Sequence, residues 1–206
     1  GRGTSPSITS SRAPSERAPG PVNMIQLQVG LLAKAKELQL DLREIASKAN
    51  TNDSSGLQRV LQEATLSLLR QPNLWVYANL ETGKVPFNSA ESTFNRLSIT
   101  ERSKLSAEIT SNVSGQVLSE KSSAIKPGYA DMANEYIAVT LIVASRERVE
   151  LNEVNTSEQL RESLRILGSI SSTDLMALEV IWQPEGEGEV LSAQELVTSY
   201  PNLKHL

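Results

Sequence analysis

The chain of 206 residues contains no cysteine and one histidine, His205, next to the last residue. Without cysteine there are no disulfides, thiol nucleophiles, Fe–S clusters or thiolate-bound zinc, and the redox compartment stays open. A Ser-His-Asp triad or a histidine metal site would have to use His205. Aromatic residues are few (two Trp, four Tyr, two Phe), so the core must be aliphatic and base-stacking platforms are scarce. Positive charge is not in excess: 20 Lys and Arg stand against 24 Asp and Glu, a net charge of −4. A duplex-binding domain carries a basic surplus, so no nucleic-acid partner is expected.

Long hydrophobic runs are also missing. The most apolar stretch, Tyr136 to Ala144, is interrupted by Thr140 and bounded by Glu135 and Arg146. A membrane-spanning helix needs about 20 apolar residues, so this run reads as a buried strand. Because both of its faces are apolar, it should be central in its sheet. The chain begins Gly-Arg-Gly without a signal peptide or initiator Met and reads as a fragment or processed form.

Residues 1–21 hold four prolines and one isoleucine, a composition that cannot offset its ordering entropy. They read as a disordered tail or linker. Their Arg2, Arg12 and Arg17 outweigh Glu16, so contact with anionic lipid is the alternative to a plain linker. Residues 22–206 read as one globular domain.

What is present is alternating periodicity. Leu27, Leu31, Ala35, Leu38, Leu42, Ile45 and Ala49 step by three or four, which predicts one long helix. The breaker from Asn50 to Gly56 then supplies a cap for a second helix, marked by Leu57, Val60, Leu61, Ala64 and Leu68 and ended at Pro72. Together they form an N-terminal helical hairpin. Residues 75–80 read as a strand followed by a turn at Thr82-Gly-Lys84. Asn88–Glu91 and Ser98–Glu101 resemble capping boxes, predicting a short helix near 89–97 and a longer one from about 99. The longer helix carries Leu105, Ile109, Val113 and Val117, and a loop spans 119–131. After the strand at 136–145, the capping box Thr156–Gln159 starts a helix with Gly168 as its C′ glycine. Met176–Trp182 is the third strand, closing a right-handed βαβ unit. Ser192–Glu195 caps a short last helix. The expected class is α+β, or a small α/β fold: the helical hairpin plus a roughly three-stranded sheet, flanked by helices.

Motifs for catalysis are absent or incomplete. Gly83-Lys84 invites a phosphate-loop reading, but Ala78 stands where the first glycine belongs and Val85 where Ser or Thr belongs. The strand and turn account for it. Ser123 and Lys126 share S-x-x-K spacing, without companion motifs and in a presumed loop. Glu185, Glu187 and Glu189 could hold a hard cation, yet lack the spacing of a calcium loop, and a solvated turn explains them. Glu179, inside an apolar strand, is either on a solvated edge, the preferred reading, or buried and paired. Asn52, Asn112 and Asn155 head glycosylation sequons of little weight here, and Trp75 and Trp182 read as core residues.

In a fixed order, six blocks resemble one family: Met24–Ala33, Phe94–Lys104, Asn134–Ala144, Leu167–Ile170, Leu178–Pro184, and Leu191–Leu196 with Tyr200-Pro201. They look like the domain-of-unknown-function family 1517 of cyanobacteria and chloroplasts. The resemblance covers roughly residues 22–203. It implies a soluble domain preceded by a targeting region and a hydrophobic segment, so that a membrane tether lies upstream of Gly1. It also implies association with a thylakoid or other cyanobacterial or plastid membrane, and a link to adjusting photosynthesis in changing light. It supplies no catalytic residue.

Two functions follow as expectations. One is a non-enzymatic interaction or regulatory module, without catalytic, cofactor or metal residues, that meets a protein partner at a photosynthetic membrane. Its contact residues would be Arg96, Glu101, Arg102 and Lys104 at a helix junction, which otherwise form a solvated helix start. The other is a small-molecule or ion-binding regulatory domain with its site at the strand ends, near Ser145–Glu147 and Gln183–Glu189. The penultimate His205 is expected to be frayed.

Overall fold

A computed structural model describes residues 19–50, 52–114, 134–186 and 188–206, with only the backbone of residue 36 and of residues 105–114. The readings made for residues 1–18, the apolar steps at 105–117, the loop at 119–131, the Ser123–Lys126 pair and Glu187 lie outside what is described.

The first element is a strand, β1 (Val22–Leu32), where the periodicity predicted a helix. Ile25, Leu27, Val29 and Leu31 point to one face of the sheet and are 0–1% exposed. Gln26 and Gln28 point to the other face. A step of four residues keeps a side chain on one face of a strand as well as of a helix, so Leu27 and Leu31 fitted both patterns. Ile25 and Val29, two residues from Leu27, fit only the strand. The helix begins after the turn at Ala35, as α1 (Lys36–Lys48), and pairs with α2 (Ser54–Leu69). The helical hairpin is therefore shorter than expected and is not N-terminal. Asp53 caps α2, its carboxylate accepting from the Gly56 N–H at 2.6 Å.

Strand β2 (Trp75–Val85) runs back along β1 and continues through Gly83 and Lys84, where a turn was expected. Helix α3 (Phe87–Ser114) is one uninterrupted helix of 28 residues, with no new start at Ser98. Then follow β3 (Glu135–Ser145), α4 (Ser157–Gly168) and β4 (Leu175–Gln183). The chain ends with β5 (Leu191–Ser192), α5 (Ala193–Ser199) and β6 (Lys204–His205). The boxes read at Thr156–Gln159 and Ser192–Glu195 both cap their helices reciprocally.

The sheet has six strands, not three, in the order β4-β3-β1-β2-β6, with β5 beside β3. Every pairing is antiparallel. β3 is an interior strand, buried on both faces, as its unbroken apolar run requires. The β3–α4–β4 unit is not a parallel crossover. Ser145 pairs with Leu175, so the connection leaves and re-enters at the same end of the sheet. The crossover-handedness rule for parallel strands does not apply.

Helices cover both faces. On one, Leu38 and Leu42 of α1, Leu61, Ala64 and Leu68 of α2, and Leu160, Leu164 and Leu167 of α4 close over Leu27, Val29, Val139 and Leu141 in the main core. Each such aliphatic side chain contributes about 1.5–3 kcal/mol by leaving water. Gly168 serves this packing and not a left-handed cap. It is the last residue of α4, and a Cβ there would lie 2.6 Å from Thr65 Oγ1 on α2. On the other face, α3 and α5 cover two smaller apolar clusters. One surrounds Tyr136, Leu191, Leu196 and Tyr200; the other surrounds Val22, Met24, Ala90 and Ala144.

Candidate functional site: a buried carboxylate under helix α3

Between those two clusters the sheet is polar. Alternation puts Gln26 and Gln28 of β1 on the α3 side, and pairing aligns Gln28 with Asn79 of β2 and with Thr140 of β3. All four are less than a tenth exposed. Glu101 descends onto them from α3. It is 2% exposed and is the one charged residue among the buried described residues.

An isolated carboxylate in such a place is costly, and this one is paired and hydrogen-bonded. Oε1 accepts from Gln28 Nε2 at 2.9 Å and Gln26 Nε2 at 3.2 Å, and lies 2.7 Å from Lys104 Nζ. Oε2 accepts from Thr140 Oγ1 at 2.9 Å. Asn79 Nδ2 reaches Gln28 Oε1 at 3.5 Å, extending the network to β2. Three donors converge on Oε1 and one on Oε2. Lys104, one helical turn beyond Glu101, has an 18% exposed side chain, and its ammonium lies 4.2 Å from the centre of the Tyr200 ring. The Tyr200 hydroxyl donates to Gln183 Oε1 of β4. Burial first, and then the negative charge of Glu101, push the Tyr200 phenol well above its usual range, so it stays neutral. The arrangement is an anchor: one ion pair and its donors fasten α3 to β1 and β3, and the Tyr200–Gln183 bond fastens the residue that caps α5 to β4.

Of the four residues read as a contact patch, Glu101 and Lys104 are thus turned inward. Arg102 is 62% exposed and ion-paired with Glu179 of β4, and Arg96 is exposed on the solvent side of α3. They sit within a continuous helix and not at a junction, because the Ser98–Glu101 pattern falls inside α3 and its glutamate is spent on the sheet. Glu179 does lie on an outer strand, but its side chain is only 20% exposed and it is paired. The solvated reading of this residue is corrected accordingly.

The strand-end site does not assemble. Antiparallel pairing sends Ser145–Glu147 and Gln183–Glu189 to opposite ends of the sheet. At the first end, Asn23 Nδ2 and Ser145 Oγ both bind the Glu147 carbonyl, at 2.9 and 3.0 Å. At the other, Gln39 holds the carbonyls of Pro184 and Glu189, and Arg43 that of Glu185. Among the described residues no three His, Asp or Glu side chains group to hold a metal. His205 is not frayed: β6 pairs it with Tyr77, whose ring meets it edge-on at 5.1 Å. Trp75 is a core residue whose Nε1 donates to the Leu68 carbonyl at 3.0 Å.

Gln26, Gln28 and Asn79 were not singled out from the sequence as site residues; Gln183 was named only as the start of the strand-end site, and Tyr200 only within the resemblance. A signal existed: Gln26 and Gln28 alternate with Ile25, Leu27 and Val29, as for a strand with one polar but covered face.

Fold and site together define a three-layer α/β/α domain with an antiparallel sheet and a buried polar belt. The chain belongs to the family described as protein of unknown function (DUF1517), whose model matches residues 21–206. It is 45% identical over 188 residues to Protein FLAP1 homolog A of Synechocystis sp., covering 89% of this chain and 56% of that protein. It is 39% identical over 186 residues to FLUCTUATING-LIGHT-ACCLIMATION protein 1, chloroplastic, of Arabidopsis thaliana, covering 89% of this chain and 46% of that one. The chain thus spans about half the length of the curated relatives it matches. No solved structure matches it. Among the described residues no helix is long and apolar enough to cross a membrane.

Proposed function

We propose that this chain is a non-enzymatic interaction module in the acclimation of photosynthesis to changing light, held at a thylakoid or other photosynthetic membrane by a tether upstream of Gly1. The observation that carries the reading is the 45% identity to the Synechocystis protein over nine-tenths of this chain. The name of the Arabidopsis relative supplies the acclimation role and the plastid setting. Support for a non-enzymatic role comes from Glu101, whose oxygens are occupied by Gln26, Gln28, Thr140 and Lys104. The tether and the membrane rest on the family resemblance. A protein partner is met on the solvent side of α3, where Arg96 is exposed and Ile99 is 66% exposed.

The test is a hybrid. Residues 21–206 replace the matching segment of the Synechocystis protein in a strain lacking it, and growth is compared in fluctuating and in constant light. Restored growth in fluctuating light supports the proposal. A hybrid present at the parental level that restores nothing contradicts it.

A further inference from the structure

We propose that the end of the domain where the chain enters β1 rests on an anionic bilayer surface, with Phe87 entering the headgroup layer and Lys84 beside it. The inference rests on the membrane reading above and names the surface that meets the lipid. A cleft of about 610 Å³ opens between Pro19 and Pro21, which lead into β1, and Val85, Pro86 and Phe87, which join β2 to α3. Phe87, Ala90 and Phe94 form one stripe of α3. Ala90 and Phe94 pack on the cluster of Val22, Met24 and Ala144, whereas Phe87 is 42% exposed. Pro19, Pro21, Lys84 and Pro86 are exposed around it. An aromatic side chain with a lysine at its edge suits the boundary between headgroups and acyl chains.

Chain direction and charge select lipid as the occupant. Residues 1–18 lead from Pro19 toward the tether, so the cleft lies where the domain is attached. They hold one large apolar residue, Ile8, too little to cover the cleft. Residues 115–133 attach at the other end of the domain. Helix α3 runs about 42 Å away from Phe87, and the chain re-enters at Glu135, the opposite end of β3 from the Ser145 that pairs with Asn23. The whole chain is at −4, so an anionic surface repels most of it. At this end the exposed charges of residues 146–150 balance, and Glu91 stands one turn along α3 against Lys84. The surplus there is that of Arg2, Arg12 and Arg17 over Glu16, which turns a tethered domain with this end to the lipid. Each basic group at an anionic surface strengthens contact about fivefold. Ile99 then stands about 18 Å along α3 from Phe87, clear of the lipid for a partner.

The chain lacks cysteine, so a single introduced thiol can carry a polarity-sensitive fluorophore. Asn88→Cys places it beside Phe87, and Gln62→Cys, exposed on α2, is the control. The 206-residue chain is held by a polyhistidine tag ahead of Gly1 on vesicles of phosphatidylcholine and a nickel-chelating lipid, with or without phosphatidylglycerol. The tag supplies the attachment, so this contact is tested whatever the native tether, while the hybrid strain tests the preceding reading separately. With phosphatidylglycerol present, the label at 88 should shift to the blue and be quenched by spin-labelled acyl chains, and the label at 62 should not. Phe87→Asp puts an acid in the first turn of α3, which suits the helix dipole, so it should keep the melting temperature while cutting the quenching at 88 at least about fivefold. Arg12→Glu with Arg17→Glu should remove the dependence on phosphatidylglycerol. Equal quenching at 88 and 62, quenching indifferent to phosphatidylglycerol, or quenching unchanged in folded Phe87→Asp overturns the proposal. So does a label at 88 that is buried on isolated photosynthetic membranes and not on lipid vesicles, which would assign the cleft to a protein.

Discussion

Thr140 Oγ1 on β3 donates to Glu101 Oε2 on α3 at 2.9 Å, joining the middle of the sheet to the middle of its longest helix. Residues 39 apart in sequence meet there beneath a helix that also packs Ala90 and Phe94 on an apolar cluster and pairs Arg102 with Glu179 of β4. The directional bonds of the polar belt favour one placement of α3 along the strands, which apolar contact alone selects poorly.

Removing the carboxylate leaves Lys104 and two glutamine amides with unmatched donors. Glu101→Leu should cost about 3–5 kcal/mol, the range for breaking a buried pair. Glu101→Gln, which keeps the shape, should cost less, about 1–3 kcal/mol. Urea unfolding monitored by circular dichroism measures both. A loss below about 0.5 kcal/mol for the leucine variant would remove the belt from the account of stability.

Tyr200 gives the belt an alkaline signature. Its folded phenol titrates above the unfolded value of about 10, so the unfolded state loses the proton first. The stability linked to this shift is fully present below about pH 10 and falls as the pH rises toward the folded value. Tyr200→Phe should cost about 1 kcal/mol at pH 7 through the lost bond to Gln183, and should flatten the decline above pH 10. Unfolding free energies at pH 8, 10 and 11 decide it; equal slopes for both proteins would rule Tyr200 out as the cause.

Gly168→Ala tests the contact between α4 and α2. On helix propensity alone it should stabilise by up to about 1 kcal/mol. The added Cβ would meet Thr65 Oγ1 at 2.6 Å, so a net cost of about 1–3 kcal/mol is expected. Thr65→Ala removes that atom, and since its hydroxyl donates to carbonyls of its own helix its cost is that of a buried methyl, about 1 kcal/mol. The double variant should recover most of the loss in a double-mutant cycle. A stabilising single variant would show that α4 is free to shift.

The last strand should matter although it has two residues. Leu206 N–H donates to the Val76 carbonyl at 2.9 Å, and Leu206 packs on the main core. Truncation after Leu203 should cost about 1–3 kcal/mol. A melting temperature unchanged by truncation would mean that β6 frays in solution.

How far the sequence could be read follows from range. The strands at 75, 136 and 176 and the caps at Thr156 and Ser192 were readable because their signals are local. β1 was misread because leucines four apart satisfy both periods, and the strand-pairing partners that decide between them lie more than 40 residues away. Glu101 was read as part of a helix start because S-x-x-E is a local pattern. Its role is set by Gln26, Gln28 and Thr140, which no local window includes. The parallel crossover failed for the same reason: a strand–helix–strand spacing does not encode direction.

The most direct test of a non-enzymatic role uses the hybrid strain with Glu101→Gln. This exchange removes the acid and base capacity of the one buried charged residue described and keeps its shape. The measurement is growth in fluctuating light, normalised to the amount of hybrid protein. The account predicts that Glu101→Gln supports acclimation in proportion to its abundance, while Arg96→Glu with Ile99→Asp, a folded surface variant, loses it at full abundance. Loss of acclimation in Glu101→Gln at undiminished abundance, with the surface variant fully active, would contradict it and make Glu101 a reacting group.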